Sequence, residues 1–290
     1  MKNILLSLIF IMSLYACDKE NWLYNDLPER NFFEIPEDVT DEESVLRREF
    51  AKRNGVYLLF NDTLGYQDVM GVSGKKVRKY ELLRLGYDML SGSQSDTFVF
   101  DFYTTLGEKR AIAEFVEKEV LENVPVLFHP YSVLLVKDME RIDEYEYSEE
   151  LSMFSGMKAT AIAFGDILGV SSEERLTLKN ALIQEMITRK ISSVPDIEFS
   201  VFYSYSQEYY GVSKSLVPTP IQSVGFLDNY YNDYWKAFNT KQYDLLAYLE
   251  EIFQLSETEF RDIYATYPIV IRKMEEMVKV LHKYGVNVYL

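Results

Sequence analysis

The residues with the clearest chemical pattern are Gln184, Glu185 and Thr188, within the stretch from Leu178 to Lys190. Some hydrolytic zinc sites use a helix with the pattern H-E-x-x-H. Two histidines four residues apart bind the metal, and the glutamate beside the first acts as general base. In this register Glu185 keeps the glutamate, while Gln184 and Thr188 stand where the histidines would be. The pattern therefore predicts a helix placed like a metal-site helix but without its metal ligands.

The rest of the chain offers few replacement ligands for zinc. It has one cysteine and only two histidines, His129 and His282, which are far apart, so no local two-histidine motif or thiolate cluster exists. A catalytic zinc takes about three charged or imidazole-type ligands from the protein. Without the metal, Glu185 as a general base would contribute roughly 10²–10⁴-fold, far less than peptide hydrolysis needs. We therefore predict no metal and no cofactor, with Glu185 as the remnant of a catalytic position.

The composition limits the classes of function. The chain has 290 residues, 48% of them hydrophobic, and a formal net charge of −16. This length suits one large domain or two small ones with a proper core. The acidic balance argues against nucleic acid as a partner and against electrostatic attachment to anionic lipid. The single cysteine excludes an intrachain disulfide.

The first residues are organised like a bacterial lipoprotein leader. A short apolar run, Ile4 to Met12, is followed by a small residue and then by Cys17, the only cysteine. The run is too short to span a bilayer as a stable helix, and the Leu-x-Ala-Cys ending resembles a lipobox. We expect residues 1–16 to be a signal peptide and Cys17 to be the lipidated mature N-terminus. Residues 17–36 would then form a tether, and residues 37–290 a single domain.

Hydrophobic periodicity predicts an α+β fold with an almost wholly helical second half. The expected strands are short apolar runs: Val56–Phe60, Thr97–Tyr103, Ser132–Val136 and Ala159–Phe164. The region 61–92 has the composition of a loop-rich segment, with a strand or short helix near Val77 to Leu85. The acidic run Glu140 to Glu150 is typical of a solvated face.

Capping boxes predict where several helices begin, because a Ser or Thr side chain and a Glu three residues later satisfy free backbone N–H groups. The predicted boxes are Thr40–Glu43, Ser171–Glu174 and Ser256–Glu259. The first opens a helix that Gly55 ends, and the second opens the helix that carries Glu185. Other predicted helical segments are Glu108–Glu122, Phe199–Tyr210, Tyr230–Phe238, Tyr243–Phe253 and Ile269–Tyr284.

Several landmarks, taken in order, resemble the substrate-import-associated zinc metallohydrolase lipoproteins. These are zinc metallopeptidases that accompany TonB-dependent importers of glycans or peptides on the outer membrane. The resemblance covers most of the mature chain. Its landmarks are the lipobox, Val56–Phe60, Met153–Ile167 with Gly156, the helix around Glu185, Val224–Leu227, Tyr243–Ala247 and Lys273–Val288.

The resemblance implies a zincin-like domain with a small mixed sheet, whose edge strand within Met153–Ile167 lies beside the helix of Glu185. The chain departs from the family's metal-site pattern in two places. Gln184 and Thr188 replace the zinc histidines, and a later acidic motif keeps Asp244 while its second glutamate has become Ala247. Gln184, Thr188 and Asp244 are then expected to line a cleft that holds no metal.

The implied function is that of a non-catalytic accessory or binding component of a TonB-dependent nutrient import system. The residues after the lipobox, Asp18-Lys19-Glu20, are similar to a surface-export signal of Gram-negative lipoproteins. We therefore expect a lipid-anchored protein at the outer membrane, on the cell surface. Its partners would be the membrane, a TonB-dependent transporter with its substrate-binding lipoprotein, and a peptide or glycan ligand.

Two other functions stay open. One is a working hydrolase with relocated chemistry, using Glu185, Asp244 or an acidic pair elsewhere. The other is a glycan-binding surface lipoprotein unrelated to peptidases, because aromatic faces stack on sugar rings, although the same spacing also suits a helical core. The residues that motivate it are Tyr230, Tyr231, Tyr234 and Trp235.

Overall fold

The first helix, α1 (Glu42–Asn54), has its N-cap one residue later than predicted. Asp41, rather than Thr40, is the N-cap, since its carboxylate accepts a hydrogen bond from the Ser44 N–H at 2.9 Å. This bond lowers the pKa of Asp41. Gly55 ends the helix as predicted, with φ of +66° in the left-handed region that glycine adopts easily.

The structure is a computed structural model that describes residues 30–70, 74–86, 96–143, 145–166, 169, 171–227 and 239–289. Cys17 and the leader lie outside the described residues, as does the aromatic cluster between positions 230 and 235. Residues Ile35–Leu290 form one compact unit. In the segment before it, the Asn31 side-chain amide donates to the Glu34 carboxylate at 3.0 Å.

A four-stranded mixed sheet lies at the centre of the first half. Its strands are β1 (Tyr57–Leu59), β5 (Ser132–Val136), β8 (Met153–Ser155) and β9 (Thr160–Ala163), in the order β1-β5-β9-β8. The first three in that order are parallel, and β8 is antiparallel to β9 at an edge. Strand β5 is buried along its whole length, as its continuous apolar run indicates. The predicted strands at these positions are confirmed.

The strand or short helix predicted near Val77 to Leu85 is present as a strand, but the prediction that the segment before it is loop-rich is wrong. Strands β2 (Thr63–Met70) and β3 (Lys76–Leu82) form an antiparallel pair in which Tyr66 lies opposite Tyr80. Every residue of β3 is exposed, so the pair has no buried apolar stripe from which alternation could be recognised. The Arg78 guanidinium lies 4.0 Å from the centroid of the Tyr66 ring, which stabilises the pairing from the solvent side.

A second small sheet contains the acidic run Glu140 to Glu150, whose residues from Tyr145 onward are exposed, as predicted for a solvated face. Strands β4 (Thr97–Asp101), β6 (Asp138–Ile142) and β7 (Ser148–Glu150) pair antiparallel in the order β4-β6-β7. The Phe98 and Phe154 rings, 4.6 Å apart, join this sheet to β8.

The helical segment predicted at Glu108–Glu122 is real but irregular. Helix α2 (Leu106–Phe115) starts at a capping box formed by Thr105 and Glu108, continues as a π-helical turn over Val116–Val120 and ends in a 3₁₀ turn. Glu117 in the π turn accepts two hydrogen bonds from the Arg53 guanidinium, at 2.6 and 3.0 Å, which lowers the pKa of Glu117.

The described part of the second half is built mainly from helices, as predicted. They are α3 (Ser172–Lys190), α4 (Ser200–Ser204), α5 (Lys241–Gln254), α6 (Glu257–Ile263) and α7 (Pro268–Lys283). The segment Phe199–Tyr210 contains only the short α4 and 3₁₀ turns rather than one longer helix. The chain is therefore a mixed α+β protein with small sheets. None of the helices within the described ranges is long and apolar enough to cross a membrane.

Candidate functional site

Helix α3 positions the residues that prompted the metal-site comparison. Its N-terminus is fixed by the predicted capping box, in which Ser171 Oγ accepts from the Glu174 N–H at 3.2 Å. The Glu174 carboxylate accepts from the Ser171 N–H at 2.8 Å, which lowers the pKa of Glu174. Further along, Met186 and Ile187 are buried in the core. The helix is therefore anchored at its start and along one face, which orients the residues beside that face.

Gln184, Glu185 and Thr188 lie within about one turn of α3, and each is half-buried. Glu185 Oε1 accepts a hydrogen bond from Arg189 Nε at 2.7 Å, an ion pair between positions four apart. The Arg189 side chain is 56% exposed, so this pair contributes only a few tenths of a kcal/mol to stability. The carboxylate at the general-base position is thus already engaged by a cation of the same helix.

A cavity of about 240 Å³ lies beside the C-terminal half of α3. The helix contributes Met186, Arg189 and Lys190 to its wall, and the turn between β8 and β9 contributes Met157 and Lys158. Glu185 is linked to this cavity through Arg189, its hydrogen-bond partner. Gln184, Glu185 and Thr188 are not among the residues that line this cavity, although Gln184 and Thr188 were expected to line a cleft.

Gly156 fixes the position of that turn. A Cβ atom at this residue would lie 2.5 Å from the backbone oxygen of Leu85, a separation that side chains do not tolerate. Leu85 is itself buried, at 4% exposure. The close approach holds the segment after β3 against the end of β8. Met157 and Lys158 of the same turn line the cavity together with residues of α3.

Asp244 lies in a different environment from Glu185. It was expected to line the same cleft, but it is 1% exposed and its Oδ2 accepts hydrogen bonds from Lys273 Nζ at 2.6 Å and from the Tyr210 hydroxyl at 2.5 Å. Neither Asp244 nor its partners line the cavity beside α3. The structure therefore brings Gln184, Glu185 and Thr188 together and separates Asp244 into a closed polar cluster.

Lys273 organises this closed cluster. It is fully buried on α7, and its ammonium also donates to Ser206 Oγ at 3.0 Å and to the Gly225 carbonyl at 2.9 Å. Aromatic rings surround the charge, and the nearest are Phe202 at 4.4 Å and Tyr248 at 4.9 Å from ring centroid to Nζ. The cluster ties α4, α5 and α7 together through charge-assisted hydrogen bonds and cation–π contacts.

The low-dielectric surroundings shift the ionisation of both charged partners. Burial raises the pKa of the Asp244 carboxyl and lowers the pKa of the Lys273 ammonium, while the opposite charge of each partner acts against these shifts. The second carboxylate oxygen, Asp244 Oδ1, is buried and has no hydrogen-bond partner among the residues that the structure describes. Burying these two groups costs desolvation free energy. Their mutual attraction offsets that cost only while both are charged, so loss of one charge leaves the other buried without a counter-charge.

The described residues do not fit a zinc ion. Within the ranges given above, no three His, Cys, Asp or Glu side chains gather in a way that could hold a metal. On α3 the amide of Gln184 and the hydroxyl of Thr188 are neutral, and Glu185 is paired with Arg189. Asp244 is committed to Lys273. This donor set lacks the imidazole, thiolate or free carboxylate groups that zinc requires.

Sequence reasoning missed Lys273, although a signal for it was present. Its neighbours at helical spacing, Val270 and Met277, belong to the buried face of α7, so a lysine between them sits on an apolar stripe. A charge at such a position requires a buried partner of opposite sign. Asp244, on a helix whose residues 245, 248 and 249 are also buried, was the available candidate.

Comparisons of the chain with protein-family models, with curated proteins and with solved structures found no match.

Proposed function

We propose that the chain is a surface-exposed lipoprotein with a zincin-like fold that binds a ligand without hydrolysing it. It would act as an accessory of a TonB-dependent nutrient import system. The observation that supports this proposal is the ion pair between Glu185 and Arg189, because Arg189 in turn lines a cavity beside α3. A ligand can enter such a space, but the groups that would activate water are missing.

The arrangement of the central sheet supports the zincin-like part of the proposal. The resemblance implies a small mixed sheet whose edge strand lies beside the helix of Glu185. Here β8 is the antiparallel edge strand, and residues next to it share a cavity wall with Met186 and Arg189 of α3. The closed pair of Asp244 and Lys273 supports a protein that kept its helical scaffold.

Hydrolysis is the test of the non-catalytic proposal. We expect the purified full chain to cleave neither a broad panel of peptides nor a panel of glycans above the background rate. Glu185→Gln should leave that background unchanged. The ion pair that it removes is partly exposed, so we expect the variant to fold as the unaltered chain does. If the unaltered chain cleaved a peptide or glycan and Glu185→Gln abolished that cleavage, the protein would instead be a hydrolase with relocated chemistry.

The proposed location depends on lipidation of Cys17. We expect Cys17→Ser to move the chain from the outer-membrane fraction to the soluble or inner-membrane fraction of a Gram-negative host, because the acyl chains are the proposed anchor. Protease treatment of intact cells, followed by immunoblotting, measures surface exposure of the unaltered chain. Unchanged membrane association of the serine variant would contradict lipid anchoring.

A further inference from the structure

The cavity beside α3 carries a charge opposite to that of the whole protein. Lys158, Arg189 and Lys190 all lie on its wall, and no Asp or Glu is among the described residues that line it. The chain as a whole has 46 acidic and 30 basic residues. Three cations around a space of about 240 Å³ therefore form a local positive field within an acidic molecule.

Two of these cations have no acidic partner among the residues that the structure describes. Neither Lys158 nor Lys190 forms a salt bridge, whereas Arg189 shares its charge with Glu185. Basic residues in the last turn of a helix stabilise its negative end, which accounts for Arg189 and Lys190 on α3. That effect does not account for Lys158, which comes from the turn between β8 and β9 and converges on the same space.

The remaining wall groups indicate the kind of molecule that carries the matching negative charge. Met157 and Met186 contribute flexible thioether chains, and Ser155 and Thr160 contribute hydroxyls that lie 3.2 Å apart. Methionine side chains adapt to irregular apolar surfaces such as those of peptides. Two aromatic rings also line the wall: Phe128 is fully buried, and Tyr131 is 44% exposed and packs edge-on against Tyr57, with 5.1 Å between ring centroids. Sugar rings stack on flat aromatic faces, so Tyr131 makes an acidic glycan the competing ligand. The two methionines favour a peptide.

We propose that the cavity binds a carboxylate group of an acidic peptide, held by Lys158, Lys190 and Arg189. This inference rests on the proposed function, since it names the ligand of the same non-catalytic site. The volume accommodates one acidic side chain or a chain terminus rather than a long segment. Charge-assisted hydrogen bonds from three cations to a single carboxylate supply both affinity and selectivity for charge.

Glu185 acts as an internal competitor in this arrangement. Its carboxylate holds Arg189 at 2.7 Å, so a ligand carboxylate has to share that guanidinium with it. Removing the negative charge with Glu185→Gln is therefore expected to tighten binding of an acidic peptide several-fold. A catalytic role for Glu185 predicts no such gain in affinity and instead predicts a loss of turnover.

Isothermal titration of the full chain tests the inference with three probes at low ionic strength. They are acetyl-Leu-Glu-Leu-Glu-amide, the matched acetyl-Leu-Gln-Leu-Gln-amide and trigalacturonate. We expect the glutamate peptide to bind at least about tenfold more tightly than the glutamine peptide. Its affinity should fall as salt is added, because exposed charges are screened.

The double variant Lys158→Gln/Lys190→Gln should bind the glutamate peptide about tenfold more weakly than the unaltered chain. The control variant Lys52→Gln/Lys118→Gln changes two lysines that do not line the cavity, and it should bind the peptide as the unaltered chain does.

Three results would overturn the inference: equal or absent binding of the two peptides, tighter binding of trigalacturonate, or an unchanged affinity of the Lys158 and Lys190 double variant. Circular dichroism of each variant shows whether it has folded. Equally tight binding of the two peptides without cleavage would reject the charge selectivity and leave the non-catalytic proposal intact. Cleavage of either peptide would reject the non-catalytic proposal itself.

Discussion

Lys273→Met is expected to lower the free energy of unfolding by about 3–5 kcal/mol, because it leaves the buried Asp244 carboxylate without its counter-charge. The ammonium that is lost also donates to Ser206 and Gly225, so two further polar groups would lose a partner. Urea denaturation followed by circular dichroism measures the change. A loss this large would leave little of the stability that is typical of a domain.

Two further variants distinguish the stability lost with the buried ion pair from the general effect of replacing a lysine. Lys283→Met removes an ion pair with Glu198 on the exposed side of the same helix, and it should destabilise the protein far less than Lys273→Met. The double variant Asp244→Leu/Lys273→Met removes both charges and should be more stable than Lys273→Met alone. If Lys273→Met cost no more than Lys283→Met, the buried cluster would not hold α4, α5 and α7 together.

Gly225→Ala is expected to destabilise the protein by about 2–5 kcal/mol, since two independent costs combine. The residue has φ of +88°, where a Cβ atom is strained. That Cβ would also lie 2.7 Å from Ile269 Cγ2 and 2.9 Å from both Lys273 Cδ and Ser206 Oγ. These neighbours pack against the buried ion pair and have little room to move.

Gly211→Ala is the matched control for the backbone contribution. Gly211 has φ of +71°, but a Cβ atom there would meet nothing within 4 Å. It should therefore cost only about 1–2 kcal/mol from the left-handed backbone, and the difference between the two variants measures crowding at the cluster. Equal unfolding midpoints in urea would show that crowding around Gly225 contributes nothing.

The elements that the sequence predicted well are those with strong local signals. The capping boxes at Ser171 and Ser256 begin helices α3 and α6 in the structure. The continuous apolar run of β5 forms a fully buried strand. In these places local hydrogen bonding and hydrophobic burial favour the same conformation, so the residues themselves specify it.

Elements set by tertiary contacts were harder to predict. Strand β3 is exposed throughout, so its pairing with β2 leaves no hydrophobic alternation in the sequence. Asp244 looked like part of a damaged metal site, because its partner Lys273 lies on another helix and no local spacing connects the two. The cationic cavity likewise joins Lys158 to Lys190 across two distant segments, which only the fold brings together.

The zinc content of the purified full chain tests the central claim most directly. The chain would be equilibrated with a small excess of zinc, dialysed, and analysed by inductively coupled plasma mass spectrometry. Because Gln184 and Thr188 offer only neutral oxygens and Glu185 is held by Arg189, we predict well under one zinc ion per chain. One zinc ion per chain that is lost in Gln184→Ala or Thr188→Ala would contradict the account and restore a metal-dependent function.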